Sequence, residues 1–272
     1  MTLVSTGWLN ENLNKVKIID ASWHLVKNRN AIEEYNKEHI ENAIFFDLDK
    51  NSNQRKDLPH GHFLPSLSDH EKAISTMGIL NTDRIIIYCY SDLISSCRVW
   101  FQFLYFGHDP KLVSVLNGGM KKWKLEDRKV TNLKTKIIPS KYKTKENKNM
   151  IKIKSQIDEN IKRKEFTILD ARSKNRFLGL EPEPRPGIKS GSIKESKSMP
   201  LSEIVNLKDN TFLDTEKLRD IFNSSEISSN KIVMSFGSSV SAASLALAYS
   251  LINDDYTPKI YIGSWTEFGK NK

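Results

Sequence analysis

The sequence predicts an α/β protein made of two copies of one domain, each a mainly parallel sheet flanked by helices. Three observations predict it. Motifs of the first half recur in the same order in the second; short β-branched runs alternate with amphipathic segments in both halves; and 272 residues suffice for two ordinary domains with a core each.

The repeat is read from four pairs. "KIIDASW" around Asp20 returns as "TILDARS" around Asp170, and "EHIENAIFF" around Ile40 returns as "GSIKESKSMP" around Ile193. "RIIIYCYSDLISS" from Arg84 matches "KIVMSFGSSVSAA" from Lys231, and "VLNGGMKKW" ending at Trp123 matches "IYIGSWTEF" ending at Phe268. The offsets are 150, 153, 147 and 145 residues, nearly constant, which places domain 1 at 1–132, a basic linker at 133–155 and domain 2 at 156–272. In order along the chain, "VKIID", "RIIIYC" and "LVSVL", then "FTILD", "KIVMS" and "KIYI", read as strands covered on both faces. Between them "SDHEKAISTMGI" from Ser68 and "TEKLRDIFNSS" from Thr215 carry helical periodicity, as crossover helices of a parallel sheet do. Ligands of open α/β sheets bind beyond the carboxyl ends of strands, so the turns after "IIIY" and "IVMS" are the places to look for chemistry.

Composition narrows the chemistry. Hydrophobic residues at 38% and charged residues at 28% fit a folded domain, no apolar run reaches the length of a membrane span, and the start lacks the pattern of a secretory signal, so a cytoplasmic protein without a membrane partner is expected. The two cysteines, Cys89 and Cys97, form neither a disulfide framework nor a metal-ligand pattern, and no metal or cofactor is expected. Residues 109–272 contain neither Cys nor His, which excludes thiol chemistry and transition-metal binding by the second half alone. The formal charge is +9; eight lysines against one Glu between Lys134 and Lys154 supply most of it. That stretch reads as a solvated linker, since it has no arginine cluster or interleaved aromatics, and nucleic acid is not expected as a partner; a footprint for a polyanion or an acidic protein is the other reading.

At "DASWHL", "EEYNKEHIENAIFFDLD", "HFLP", "LNGGMKKW", "DARSKNRFLGLEPEPRPGIKSGSI" and "IGSWTEF" the chain resembles the tandem-domain rhodanese family, specifically the 3-mercaptopyruvate and thiosulfate sulfurtransferases. The resemblance runs nearly end to end. It implies two rhodanese-like domains and a transferase that moves sulfur from a small donor to an acceptor, in places a thiol protein, through a cysteine persulfide. In that family the cysteine opens a strand-to-helix loop of the pattern C-G-S-G-V-T-A, whose backbone N–H groups favour a thiolate. Here the loop reads Phe236, Gly237, Ser238, Ser239, Val240, Ser241, Ala242, so a phenylalanine stands in the nucleophile's position and Ser239 in that of a glycine. Ser192, Ile262 and Asn117 are further departures from the family's His, Asp and Asp. Arg176 and Arg185 match the two arginines that hold the substrate carboxylate in the mercaptopyruvate type, while Asp49 and His62 match first-domain residues that assist the chemistry, with His60 a competing alignment for the latter. The expectation is a degenerate site, inactive or severely impaired, that still binds a small carboxylate, a sulfur donor or a partner.

One alternative keeps an enzyme. The internal repeat sets Cys89 opposite Phe236, and a sulfur acceptor relocated to Cys89, with Cys97 resolving it, predicts a cyanolysable sulfur on the first domain. Asp92 in the same turn opposes an anion there. The plainer reading has both thiols packed as small hydrophobes.

Overall fold

Continuous β-branched runs become fully buried parallel strands. In the computed structural model, which describes residues 2–270 apart from 26–27, 54, 59–60 and 226–230, Ile85–Tyr88 and Ile232–Ser235 are buried at every residue. The competing candidate His60 lies outside the described residues. The chain folds into two compact units: residues 1–51, 65–147 and 206–212 form unit 1, and residues 52–64, 148–205 and 213–272 form unit 2.

Unit 1 is built on β1 (Leu3–Val4), β2 (Lys17–Asp20), β3 (Ala43–Phe45), β4 (Ile85–Tyr88) and β5 (Val113–Leu116). They run in the order β1-β5-β4-β2-β3, all parallel, with Asp20 in register with Phe45 on one side and Tyr88 on the other. Unit 2 repeats the permutation: Ile151–Lys152, Ile260–Tyr261, Ile232–Ser235, Thr167–Asp170, Lys197–Ser198, again parallel, with Asp170 in register with Ser198 and Ser235. Two α/β units with flanking helices are thus present as the sequence predicts, and the shared order is the structural form of its internal repeat. Among the described residues no helix is long and apolar enough to cross a membrane.

The helices after the central strands are the most buried. Ser96–Tyr105 is buried at all ten residues, and Val240–Ser250 at every residue but its last, Ser250. A helix of Ala, Ser and Leu with apolar or small residues all round has no solvent face to offer, so it is driven into the unit's interior. Separate cores form around Ile18, Ile86 and Trp123 in unit 1, and around Ile168, Val233 and Trp265 in unit 2.

The units do not end where the sequence division put them. The stretch 133–147 is not a free tether; it lies along unit 1, where the Ser140 N–H donates to Ser75 O, the Lys145 N–H to Phe106 O and the Asn147 N–H to Tyr105 O, and where the Tyr142 side chain is buried at 1% exposure. Two further segments belong to the unit of the opposite half. Residues 52–64 fold with unit 2 and residues 206–212 with unit 1. Offsets near 150 relate these segments as well, so each half lends its equivalent loop.

Candidate functional site

The loop that follows Ile232–Ser235 opens on Phe236 and ends on Ser239, which precedes the helix Val240–Ser250. Ser239 has φ 67°, the left-handed region, a conformation that costs a side chain about 1 kcal/mol or more and that glycine takes freely. Phe236 is buried at 4% exposure. Its N–H donates to Ser264 Oγ at 3.2 Å, its carbonyl accepts from the Trp265 N–H at 2.8 Å, and the next carbonyl, Gly237 O, accepts from both the N–H and the hydroxyl of Thr266. These bonds fix the loop from below. The N–H groups of Gly237 and Ser238 meet no acceptor among the described residues. Adjacent unengaged N–H groups ahead of a helix N-terminus form a cradle suited to an anion.

Two arginines close over that cradle. Gly237 has a backbone any residue adopts, yet a Cβ there would lie 3.3 Å from both Arg176 Nη2 and Arg185 Nη1, a tight contact, so two guanidinium groups stand close against the loop at this glycine. Arg185 Nη2 also donates to Ser238 Oγ at 3.0 Å, and the Arg176 guanidinium lies over the Phe236 ring at 5.8 Å. Both arginines are buried, Arg176 at 9% and Arg185 at 7% exposure.

What holds Arg176 is Glu183, a residue that the sequence alone does not single out. Its carboxylate accepts from Arg176 Nη2 at 2.5 Å and Nε at 3.3 Å, and from Arg172 Nη1 at 2.7 Å. Arg172, fully buried, also pairs with Asp170 at 2.8 Å, donates to Gly191 O and stacks on Trp265 at 4.5 Å. The chain of contacts Asp170, Arg172, Glu183, Arg176 therefore ties a strand end to the loop. Glu183 sits in "EPEPRPG", and a carboxylate between two arginine-bearing turns was the available signal.

His62 reaches this loop because segment 52–64 is part of unit 2. Its Nδ1 makes a 3.0 Å hydrogen bond with Ser238 Oγ, and its carbonyl accepts from Ser239 Oγ at 3.4 Å. The segment is held by an Asn53–Phe63 bridge and by an ion pair of Arg55 with Glu267. Phe236, Gly237, Ser238, Ser239, Arg176, Arg185 and His62 are thus brought together, with Val240 and Ser241 in the first turn of the helix behind them. Asp49 is placed differently: it belongs to unit 1, where the Trp23 indole N–H donates to its carboxylate at 3.1 Å.

Cys89 occupies the equivalent loop start after β4. It is 6% exposed, its thiol donates to Ser96 Oγ at 3.4 Å, and its carbonyl accepts from the Met120 N–H. Gly119, at φ 54°, makes that packing feasible, since a Cβ there would meet Cys89 O at 2.4 Å. The cavity beside the thiol measures ≈ 10 Å³, room for about one water. Phe212, the counterpart of His62 in the lent segment, lines it, and its N–H donates to Asn117 Oδ1 at 2.9 Å. That bond gives Asn117 a local role. Cys97 is fully buried and, like Cys89, forms no disulfide. Among the described residues no group of three His, Cys, Asp or Glu side chains could hold a metal ion.

A rhodanese-like domain model matches residues 5–126. Over 98% of its length the chain is 35% identical to thiosulfate/3-mercaptopyruvate sulfurtransferase 1, mitochondrial, of Arabidopsis thaliana, covering 75% of that protein, and 32% identical to 3-mercaptopyruvate sulfurtransferase of Homo sapiens, covering 91% of it. The crystal structure of SseA from Escherichia coli, a 3-mercaptopyruvate sulfurtransferase, superposes with a TM-score of 0.86 at 28% identity, over 97% of this chain and 99% of that one.

Proposed function

The chain belongs to the thiosulfate/3-mercaptopyruvate sulfurtransferase family, and on that premise we propose that unit 2 keeps the anion-recognising half of a sulfur-transfer site without its sulfur-accepting half. One observation carries the reading. Arg176 and Arg185 converge on Gly237, beside two unengaged N–H groups, while the residue that opens the loop is Phe236. A benzyl group neither ionises nor forms a persulfide, so the covalent step is missing and binding and electrostatic contributions remain.

The ligand class follows from the donors. Guanidinium groups and backbone N–H groups suit a small carboxylate such as pyruvate or 3-mercaptopyruvate, with the Phe236 ring as an apolar wall where relatives would present sulfur. The protein acts here as a small-carboxylate or partner-binding module. The relocated-acceptor reading finds less support, because Cys89 is buried and shares with Phe212 a cavity of one water's size that no arginine lines.

The test has two arms. After incubation with 3-mercaptopyruvate or thiosulfate, intact-mass measurement is expected to show no added sulfur atom. Calorimetric titration with pyruvate is expected to show one site, weakened in Arg176→Ala and in Arg185→Ala. Sulfur located on Cys89 by peptide mapping, or pyruvate binding indifferent to both arginines, refutes the reading.

A further inference from the structure

Unit 1 carries a second cavity, at the amino ends of β2 and β4, away from the loops that follow those strands. Its volume is ≈ 480 Å³, within the span of roughly 300–1,000 Å³ usual for small-molecule sites. Four cations line it: Lys15, Lys17, Arg84 and Lys136. Among the described residues none of the four makes an ion pair, although surface lysines elsewhere, such as Lys122, Lys124 and Lys143, do. The carboxylate in the wall, Asp83, has one oxygen engaged by the Leu80 N–H at 2.8 Å. Arg84 stacks on the Trp8 indole at 4.6 Å, and its Nε is buried without an acceptor. An uncompensated buried donor on a charged group is costly, and an anion in the cavity would balance the guanidinium's charge.

The rest of the lining mixes the polar side chains of Asn14, Asn42 and Thr135 with an apolar wall that includes Ile44, Met77, Ile137 and Ile138. Ile137 and Ile138 are left open to solvent, at 41% and 74% exposure, on the basic stretch that runs along the unit. Such a stretch, if it served only to join two domains, has no reason to present neighbouring isoleucines next to unpaired lysines. We propose that this cavity binds a small organic phosphate, its apolar body against Ile137 and Ile138 and its phosphate held by Lys17, Arg84 and Lys136. The cations converge on one concavity with an apolar wall rather than forming a track, which favours a compact ligand over a nucleic-acid strand.

The experiment titrates the full chain at low salt, by calorimetry, with octyl phosphate, adenosine monophosphate and inorganic phosphate. The first two separate an alkyl-chain from a nucleotide-type source. At least one is expected to bind with one site per chain, roughly 10-fold or more tighter than inorganic phosphate, and to lose about 10-fold in Lys136→Glu and in Arg84→Gln. Lys136 sits on an exposed extended segment, so its variant keeps the fold even if Arg84→Gln does not. Excess pyruvate, directed at Arg176 and Arg185, is expected to leave the binding unchanged. No heat with either organic phosphate, equal affinity for inorganic phosphate, indifference to Lys136→Glu, displacement by pyruvate, or tighter binding of a single-stranded oligonucleotide that grows with its length each overturns the proposal.

Discussion

Phe236→Cys is expected to install sulfur uptake in unit 2. The ring is 4% exposed and lies 5.8 Å beneath the Arg176 guanidinium, so the substitution removes about 3 kcal/mol of packing and roughly 0.5–1 kcal/mol of cation–π attraction. A domain of ordinary stability, roughly 5–15 kcal/mol, survives that loss. In return a thiol stands at the head of the Gly237–Ser238 N–H cradle, ahead of an eleven-residue helix and beside two arginines, all of which lower a thiol's pKa and favour the thiolate. Restoring a covalent nucleophile in a preorganised site is worth at least about 10³-fold in rate, or about 4 kcal/mol of barrier. The assays are thiocyanate formation from thiosulfate and cyanide, pyruvate release from 3-mercaptopyruvate, and intact mass. The variant is expected to gain one sulfur atom and turn over where the parent does neither. If it folds, binds pyruvate as the parent does and still takes no sulfur from either donor, the loop is no thiolate cradle and the reasoning fails.

Glu183 accepts from both Arg172 and Arg176 with its side chain 2% exposed, so Glu183→Ala takes from the buried Arg176 its carboxylate partner and from Arg172 one of its three acceptors, and is expected to cost roughly 3–5 kcal/mol in urea unfolding. Arg185→Lys keeps the charge but loses the planar fork that reaches both Gly237 and Ser238, and is expected to weaken pyruvate binding about 10-fold in calorimetry. Burial against Phe106 and Phe103, with the Arg98 and His108 charges nearby, pulls the His70 pKa from 6.5 down to about 3, so the folded protein holds this ring neutral. A folded pKa below the unfolded one means stability is full above pH 6.5 and falls as pH drops toward 3, by up to about 5 kcal/mol. His70→Phe is expected to flatten that part of the pH–stability curve, and an unchanged slope refutes the assignment.

Strands, helices and their duplication were legible in the residues because they rest on local patterns. "IIIY" and "IVMS" are apolar at nearly every position, and a strand covered on both faces suits them; the offset of Cys89 from Phe236 reappears as their equivalent places after β4 and after Ile232–Ser235. The loop F-G-S-S-V-S-A and the arginines Arg176 and Arg185 were legible for the same reason, since each lies in a short run of distinctive residues. Less could be read of what the partners do to one another. Nothing in "EPEPRPG" says which of two arginines its second Glu will hold, and Glu183 bridges both.

The sequence by itself determined the duplicated α/β architecture, the family, and the absence of any cysteine from the second half, because these depend on residue type and spacing along the chain. Only the tertiary structure decided that residues 52–64 carry His62 to Ser238 in unit 2, that residues 206–212 bring Phe212 beside Cys89 in unit 1, and that the basic stretch packs against Ser75 and Phe106. Such placements depend on hydrogen bonds and contacts between residues separated by as many as 212 positions, for which no local periodicity exists to be read.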